Sequence, residues 1–399
     1  MPALILEPRL VSHHVGGRDG GAPFANAKSK FLNDTISILY DADPDCVDHA
    51  GQYASTLGLH EFLALPYCVG GENGPGEFNL NYDPYTSSLA EYDSSMDDYY
   101  CAFEDYDYPF AEVFKAVKKI PVDIVTLDKV MADNAATLPP PDFLSLDTEA
   151  TEFEVLCGAE NTVRSEVVAI EVETSFIQIR KNQKLFGEIA ALLGTYGFTF
   201  VQFTNTHQAS PYRAPVGLRG KGNLVVADGL FFRDIDSLCS SIEGEGKLWI
   251  KLRKLAMTAI LYGHIEYAIK AVGMANSLTP PDTLLSKLEL LTWHRFIDKF
   301  IAIVDSSVAP LRSTFADAYS IEESFSRFKA TPKQLEDIPG EEPGEPGREL
   351  PALARLLAQK AQMIANLATE LKSEQKDYGI PLKELLFDHG LEDITDLIH

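Results

Sequence analysis

Acidic side chains cluster where an apolar run gives way to a helical pattern. The run Phe143–Leu146 is followed by Asp147 and Glu149, and more acids continue into the next segment. Carboxylates can accept protons, bind cations or accept hydrogen bonds from ligand hydroxyls. The dipole of a helix favours acids near its start, so capping explains part of this cluster. Asp147 and Glu149, however, are predicted to lie at the carboxyl edge of a sheet, beside a nucleotide site.

A glycine-rich loop and another acid indicate that nucleotide site. Residues 15–21 read VGGRDGG and follow the first predicted strand, while Asp41 ends the second. Glycines let backbone N–H groups approach a ligand closely, and an acid at the second strand end can bind ribose hydroxyls. Gly16 and Asp41 are 25 residues apart, close to the roughly 20 of a nucleotide-binding fold. Asp41 could instead cap the helix that is predicted to begin after Pro44, although Asp43 can also provide that cap.

Short apolar runs bounded by Gly, Pro, Asp or Asn predict the strands that position these residues. The predicted strands are Leu10–Val11, Ile36–Leu39, Phe62–Leu65, Ile124–Val125, Phe143–Leu146, Val167–Val172 and Phe198–Phe203. Helix-length segments such as Glu149–Arg164 and Gln183–Tyr196 lie between them. This alternation predicts a doubly wound α/β fold with a mainly parallel sheet. Right-handed crossovers then bring the loops after the strands to one edge.

The second half of the chain has a different character. Helical spacing predicts helices over Lys247–Val272 and Leu284–Val304, and a proline-, glycine- and glutamate-rich stretch reads as a linker. A last helical pattern over Pro351–Lys372 has an apolar seam, which predicts packing within its own domain or a homodimer. The predicted organisation is an α/β domain over 1–210, a helical accessory region over 211–331, a linker over 332–350 and C-terminal helices over 351–399.

Residues 91–109, EYDSSMDDYYCAFEDYDYP, interrupt the alternating pattern. The stretch is acidic, tyrosine-rich and without a clear period. We interpret it as a solvated surface loop. The alternative is a lid over a hydroxyl-rich substrate, because tyrosine rings and carboxylates both suit sugars and long irregular loops are often functional.

Composition excludes several classes of protein. The 399 residues are 45% hydrophobic, which supports a sizeable core, and the net charge is −25. So acidic a chain repels phosphate backbones and anionic lipid headgroups, so we expect neither nucleic-acid nor membrane-surface binding. The five cysteines are widely spaced, with no metal-binding pair, and are expected to be reduced thiols. No signal peptide or membrane span is recognisable, so a cytoplasmic location is expected.

The central acidic motif resembles a known family. DFLSLDTEATEFEVLCGA, residues 142–159, resembles the signature of FkbM-type S-adenosylmethionine-dependent methyltransferases, approximately D-[FL]-[IL]-K-[IL]-D-[VT]-E-G-x-E-x-x-[VI]-L-x-G-A. Other motifs follow in the family's order over roughly residues 8 to 205. They are HVGGRDGG for the cofactor loop, LYDADP for the second-strand acid, ALPYCVGGENGPGEFNLNYDPYTSSL for a hairpin and Ser-Ser-Leu turn, VDIVTLDKV, VVAIEVETSF and the Gly-Phe of YGFTF.

This resemblance implies a Rossmann-like class I methyltransferase domain that binds S-adenosylmethionine and methylates a hydroxyl, on a glycan or related small molecule. The acid of the ribose site would be Asp41. Matching the family's motifs to this sequence implies the cofactor-binding residues. They would be His14, Gly16, Gly17, Arg18, Asp19, Gly20, Asp41, Ala42, Ser88 and Asp147.

Methyl transfer to a hydroxyl benefits from a base that accepts the hydroxyl proton. The first candidates are Asp147 and Glu149, followed by Glu171 and Glu173; a cap or a solvated acid is the alternative for each. Nothing in the sequence requires a metal ion, although Asp147 and Glu149 could hold one.

Three positions depart from the family pattern. His14 replaces an acid, Ser145 a lysine and Ala150 a glycine. These departures and the helical tail leave a second hypothesis open, a catalytically inactive interaction or scaffold protein on the same fold. A nicotinamide-dependent oxidoreductase ranks last, because it leaves the run DTEATE unexplained.

Overall fold

The computed structural model describes residues 7–16, 31–42, 47, 50, 59–103, 106–212 and 222–307. The chain divides into two compact units, Met1–Ile297 and Asp298–His399. The first unit holds every strand given below. The predicted linker over 332–350 and the helices over 351–399 lie outside the described residues.

A nine-stranded sheet forms the centre of the first unit, in the order β3-β2-β1-β9-β10-β12-β11-β6-β7. The five strands from β3 to β10 are parallel, and the others are antiparallel. Its strands are β1 Leu10–Gly16, β2 Thr35–Tyr40, β3 Glu61–Leu65, β6 Tyr100–Phe103, β7 Tyr106–Pro109, β9 Phe143–Asp147, β10 Ala169–Ser175, β11 Phe198–Ser210 and β12 Asn223–Arg233. The predicted doubly wound, mainly parallel α/β sheet is therefore confirmed.

The parallel strands are apolar because both faces of this sheet part are covered. Every residue of β2, and all of β1 except Gly16, is buried. From β1 the chain adds β2 and β3 on one side, while β9 and β10 lie on the other. The strand order therefore reverses between β1 and β9, and ligands of open α/β sheets bind at such a point, beyond the carboxyl ends of the strands.

The antiparallel strands change two predicted boundaries. Strand β12 lies between β10 and β11 in the same sheet, so the sheet extends past residue 210, where the α/β domain was predicted to end. The stretch 91–109 is not the irregular loop we predicted, because it holds the hairpin β6–β7 at the sheet edge. Its backbone pairs with β11 through Ala209 and Ser210, a long-range contact that local sequence pattern does not reveal.

A smaller three-stranded sheet has the order β4-β8-β5. Its strands are β4 Cys68–Val69, β5 Gly74–Asn81 and β8 Ala116–Val125. Strands β5 and β8 form an antiparallel pair. Four of their apolar side chains, Phe78, Leu80, Ile120 and Val122, line a cavity.

Ten α-helices are described in these residues. They are α1 Phe110–Val113, α2 Leu127–Asp133, α3 Glu152–Gly158, α4 Glu160–Ser165, α5 Phe186–Thr195, α6 Ile235–Ser241, α7 Glu245–Leu261, α8 Ile265–Ala275, α9 Asp282–Leu288 and α10 Thr292–Ser307. The predicted helix Lys247–Val272 is two helices, because Gly263 adopts φ +82° between them. No helix among the described residues is both long and apolar enough to span a bilayer.

Candidate functional site

The ends of β1 and β9 meet at the point where the strand order reverses. Gly16 ends β1 opposite Asp147, the last residue of β9. Gly16 has φ +85°, and a Cβ there would lie 1.8 Å from the carbonyl oxygen of Asp147. Only glycine fits so close an approach, which explains one glycine of the predicted cofactor loop.

A cavity of about 460 Å³ opens at these strand ends. Strand ends of the main sheet, the two long strands of the smaller sheet and the segment 84–89 enclose it. Its lining residues are Val15, Gly16, Tyr40, Asp41, Ala42, Tyr67, Cys68, Val69, Phe78, Leu80, Pro84, Tyr85, Ser87, Leu89, Ile120, Val122, Asp147, Thr148, Glu149 and Thr151. This cavity has the size and place expected for a small-molecule ligand of an α/β fold.

The structure brings part of the predicted cofactor site together. Gly16, Asp41, Ala42 and Asp147 all line the cavity, as does the catalytic candidate Glu149. Four predicted residues, Gly17, Arg18, Asp19 and Gly20, lie outside the described residues.

Two other predicted cofactor residues do not line the cavity. His14 is buried within β1, and burial lowers the pKa of its imidazole to about 4, so the ring is neutral. Ser88 is fully buried and supports the site instead. Its hydroxyl donates 2.6 Å to the carbonyl oxygen of Glu149.

His13 and His14 face opposite sides of the sheet, as expected of neighbours on a strand. The Nε2 of His13 lies 3.0 Å from the carbonyl oxygen of Pro139, and its Nδ1 lies 2.9 Å from the hydroxyl of Tyr40. A carbonyl can only accept, so Nε2 carries the proton and Nδ1 accepts from Tyr40. His13 thereby fixes a tyrosine that lines the cavity.

Three carboxyl groups gather beside this cavity, two of them in its lining. Oxygens of Asp147, Glu149 and Glu173 all lie within 4.8 Å of one another. Burial, together with repulsion from the neighbouring acids, raises the pKa of Asp147 and of Glu173 well above the usual range. Carboxyls this close need a counter-charge, which protons, a cation or an arginine can supply. Oxygen atoms are also the ligands that Mg²⁺ and Ca²⁺ prefer.

Arg180 supplies such a counter-charge to Glu149. Its Nη2 donates to Oε2 of Glu149 at 2.9 Å and also to the carbonyl oxygen of Thr86. The Arg180 side chain is only 1% exposed, and its guanidinium lies 5.0 Å from the ring centre of Phe114. Burial raises the pKa of Glu149, but Arg180 opposes that rise. Glu149 is therefore the member of the three that ionises most readily.

The backbone at this point is strained. Glu149 has φ +58° and Ala150 has φ +88°, values that non-glycine residues seldom adopt. Glu152 holds the turn: its Oε1 accepts from the backbone N–H of Thr148 and Ala150 at 2.9 and 3.1 Å. Burial raises the pKa of Glu152 to about 7. Strain of this kind persists where surrounding contacts over-determine it, commonly at functional sites.

A second cavity of about 230 Å³ lies beside the first. Tyr85 and Glu149 line both, while Glu173 lines only the smaller one. Apolar side chains of α1 and β12 form much of its wall, and His207, Gln183 and Arg180 are among its polar residues. Glu149 therefore stands between the two cavities.

The remaining catalytic candidate lies elsewhere. Glu171 accepts a hydrogen bond from Thr204 at 2.6 Å and lies 3.5 Å from the hydroxyl of Tyr262. Burial raises its pKa to about 7. It lines neither cavity.

Sequence reasoning missed Arg180 and His207 as site residues. Arg180 follows β10 in the unremarkable run IQIRK, and His207 stands on a strand beyond every quoted motif. Tertiary folding brings both to Glu149, and no local spacing announces either. Glu152, in contrast, matches a fixed glutamate of the family signature.

The comparisons with known proteins agree with this arrangement. Residues 32–200 match the methyltransferase FkbM domain family. No curated protein matches the chain. The matched range includes β2, the smaller sheet, the carboxyl cluster and Arg180, while β1 and β12 lie outside it.

Three of the solved structures with some likeness to this chain are the following. Precorrin-6y C5,15-methyltransferase from Geobacter metallireducens GS-15 is 11% identical to this chain, with a TM-score of 0.29. The alignment covers 57% of this chain and 83% of the other. Methyltransferase FkbM from Methylobacillus flagellatus KT has 11% identity, coverages of 56% and 44% and a TM-score of 0.29. TrmK from M. capricolum, in complex with S-adenosyl-homocysteine, has 9% identity, coverages of 74% and 93% and a TM-score of 0.26.

At TM-scores this low the solved structures carry no argument, so the assignment rests on the family match and the sequence motifs. The matched residues hold Asp41, Asp147 and Glu149 of the larger cavity. Residues 32–200 of this chain therefore form a segment that matches the methyltransferase FkbM domain family, the family that the sequence motifs indicated.

Proposed function

We propose that the protein transfers a methyl group from S-adenosylmethionine to a hydroxyl of a glycan or related small molecule. The donor occupies the larger cavity, and the acceptor hydroxyl reaches Glu149 from the smaller one. The observation that carries this proposal is the position of Glu149 on the wall common to both cavities.

Three features of the larger cavity support donor binding. Asp41 lies at the end of β2, where a carboxylate can accept hydrogen bonds from ribose hydroxyls. Gly16 exposes backbone beside Asp147, so a ligand can approach the end of β1. Carboxyl groups of Asp41 and Glu149 also line the cavity, and negative charge there favours a positively charged sulfonium donor.

The pKa order of the carboxyl cluster supports Glu149 as the base. Asp147 and Glu173 are raised well above their usual range, whereas Arg180 counteracts the rise of Glu149. Groups whose environments push their pKa values apart take opposite proton-transfer roles. Glu149 accordingly accepts protons, while Asp147 and Glu173 hold theirs.

The transfer itself is an in-line displacement. The acceptor oxygen attacks the methyl carbon, the carbon–sulfur bond breaks, and its electron pair stays on sulfur, giving S-adenosylhomocysteine. The hydroxyl proton passes to Glu149. Alignment of nucleophile and methyl carbon in two adjoining cavities supplies much of the rate enhancement by proximity.

Calorimetry with S-adenosylhomocysteine tests the donor site. We expect Asp41→Ala to weaken binding by about 10- to 100-fold, the effect of losing hydrogen bonds to a charged group. Asp133→Ala is the matched control, because Asp133 is an exposed acid on α2 that lines neither cavity. Equal affinity of the wild-type protein and Asp41→Ala would contradict the assignment of Asp41 to the ribose.

A further inference from the structure

We infer that His13, which lines neither cavity, is a positioning residue of the larger one: it fixes the ring of Tyr40 and, through that residue, the carboxylate of Asp41. This inference rests on the proposed function, because it takes the larger cavity as the donor site. His13 acts in two steps, first on Tyr40 and then, through the end of β2, on Asp41.

His13 is a polar residue on an apolar face of the main sheet. Its neighbours on that face are Val11 and Val15 of β1 and Ile38 and Tyr40 of β2, all members of one hydrophobic core. The imidazole is fully buried, and an apolar side chain would fill its place without the cost of removing a polar ring from water. What a histidine adds at this position is therefore its two hydrogen bonds.

Those hydrogen bonds connect β1 with β2 and with the segment before β9. Nδ1 of His13 accepts from the hydroxyl of Tyr40, the last residue of β2, at 2.9 Å. Nε2 donates at 3.0 Å to the carbonyl oxygen of Pro139, four residues before β9 begins. Burial lowers the pKa of the imidazole to about 3, so the ring stays neutral and keeps one donor and one acceptor.

Tyr40 connects His13 to the cavity. Its ring lines the larger cavity, and the ring centres of His13 and Tyr67 lie 5.5 and 6.4 Å from its own. Asp41 follows Tyr40 directly in the chain, and its backbone N–H donates to the carbonyl oxygen of Leu65 at 3.3 Å. A shift of Tyr40 would therefore move Asp41, and hydrogen bonds to a ligand need placement within about 0.5 Å.

Packing is the alternative role for His13. A packing residue would change the free energy of unfolding when it is replaced, but it would leave donor affinity unchanged in the folded protein. A positioning residue should instead lower the affinity, and only while the Tyr40 hydroxyl and the Asp41 carboxylate are present. Combined substitutions therefore separate the two roles.

Calorimetry with S-adenosylhomocysteine on the full chain tests the step from His13 to Tyr40. We expect His13→Leu and Tyr40→Phe each to weaken binding by about 3- to 10-fold, less than Asp41→Ala, because the carboxylate is displaced rather than removed. The double variant should bind no more weakly than the weaker single variant. Tyr40→Phe keeps the ring, so it tests this step even where His13→Leu fails to fold.

Tyr267→Phe is the matched control, because Tyr267 donates at 2.6 Å to the carbonyl oxygen of Arg233 and lines neither cavity. It also loses a tyrosine hydrogen bond, yet its affinity for S-adenosylhomocysteine should stay within about twofold of wild type.

The step from Tyr40 to Asp41 is tested in the Asp41→Ala background. There His13→Leu should change the affinity by less than about twofold, because the carboxylate that it positions is gone. Nitrogen NMR of isotope-labelled histidine gives a signature that packing would not: the His13 proton should be on Nε2, and the Nδ1 resonance should shift in Tyr40→Phe.

Four results would overturn the inference alone. They are unchanged affinity in both single variants, additive losses in either combination, an equal loss in Tyr267→Phe, and a His13 proton on Nδ1. Failure of the wild-type protein to bind S-adenosylhomocysteine would overturn the proposed function instead.

Discussion

Glu149 and Ala150 combine an unfavourable backbone conformation with a central position in the site. Both have positive φ, and they are held there by Glu152 and by the hydroxyl of Ser88. The family signature has glycine where this chain has Ala150, and φ +88° explains that preference. The alanine therefore keeps the turn at a cost in stability.

Ala150→Gly should raise the free energy of unfolding by about 1 kcal/mol, because relief of the positive-φ strain exceeds the added entropy of the unfolded chain. Urea unfolding at constant pH measures the change. Ala159→Gly is the matched control: Ala159 is buried and has φ −113°, so this substitution should destabilise by about 1 kcal/mol. Destabilisation by both substitutions would show that the turn is not strained.

Arg180 is expected to set the protonation of Glu149. Burial raises the pKa of Glu149 and Arg180 opposes it, so Arg180→Met should raise that pKa further, and Arg180→Lys should restore part of the difference. Titration of side-chain carboxyl carbons by NMR, with the Glu149 signal assigned from Glu149→Gln, measures the shift. In the proposed mechanism methyl transfer needs the ionised Glu149, so its rate should fall as pH drops through this pKa, at higher pH in Arg180→Met. An unmoved Glu149 titration in Arg180→Met would refute the role of the arginine.

At the scale of elements, a buried charge network connects helix α7 to the main sheet. Asp142 precedes β9 and receives Lys251 at 2.9 Å and Lys254 at 2.6 Å, with all three side chains at most 5% exposed. Burial alone would raise the pKa of Asp142, but the two ammonium groups outweigh it and hold the pKa below the ordinary value. Helix α7 is thus fixed beside the strand that carries Asp147.

Asp142→Asn should lower the free energy of unfolding by about 3–5 kcal/mol at pH 7, because it takes away the carboxylate that pairs with the buried Lys254 and leaves Lys251 with Glu166 at 3.3 Å. Trp249 on α7 and Trp293 on α10, the two tryptophans of the chain, report unfolding by fluorescence. The folded-state pKa is depressed, so this contribution is present above the ordinary pKa of an aspartate and fades as pH falls through the lower folded value. Asp133→Asn, which breaks the exposed pair with Lys129, should cost less than about 1 kcal/mol. Similar losses in the two variants would contradict the stabilising role of the buried network.

At the scale of the whole molecule, the described residues that line the larger or the smaller cavity run from Val15 to Val226. The net charge of −25 and the acidic cavities favour a cationic donor and disfavour anionic partners. Residues 351–372 lie outside the described residues. The role in dimer formation that we predict for their apolar seam remains a proposal.

A chain that ends after residue 307 should bind S-adenosylhomocysteine within about twofold of the full chain, since it keeps every lining residue that the structure describes. Sedimentation velocity on the same two proteins tests the seam. If residues 351–372 associate, the full chain should sediment as a dimer and the shortened chain as a monomer. Identical oligomeric states would count against the seam, and loss of donor binding would show that the C-terminal residues support the cavity.

Local sequence alone predicted the strands that precede Gly16, Asp41 and Asp147, because apolar period and turn residues are short-range signals. The motif around Asp147 also indicated the family, through its resemblance to a known signature. The same signals could not predict the hairpin at residues 100–109 or the central place of β12. Both depend on pairing between distant strands.

Only the tertiary structure shows which of the three carboxyl groups is paired with a positive charge. Asp147, Glu149 and Glu173 are equivalent acids in the sequence, and only folding places a buried Arg180 against one of them. Their pKa order, and the two cavities that meet at Glu149, arise from burial and through-space charge, which linear spacing does not encode.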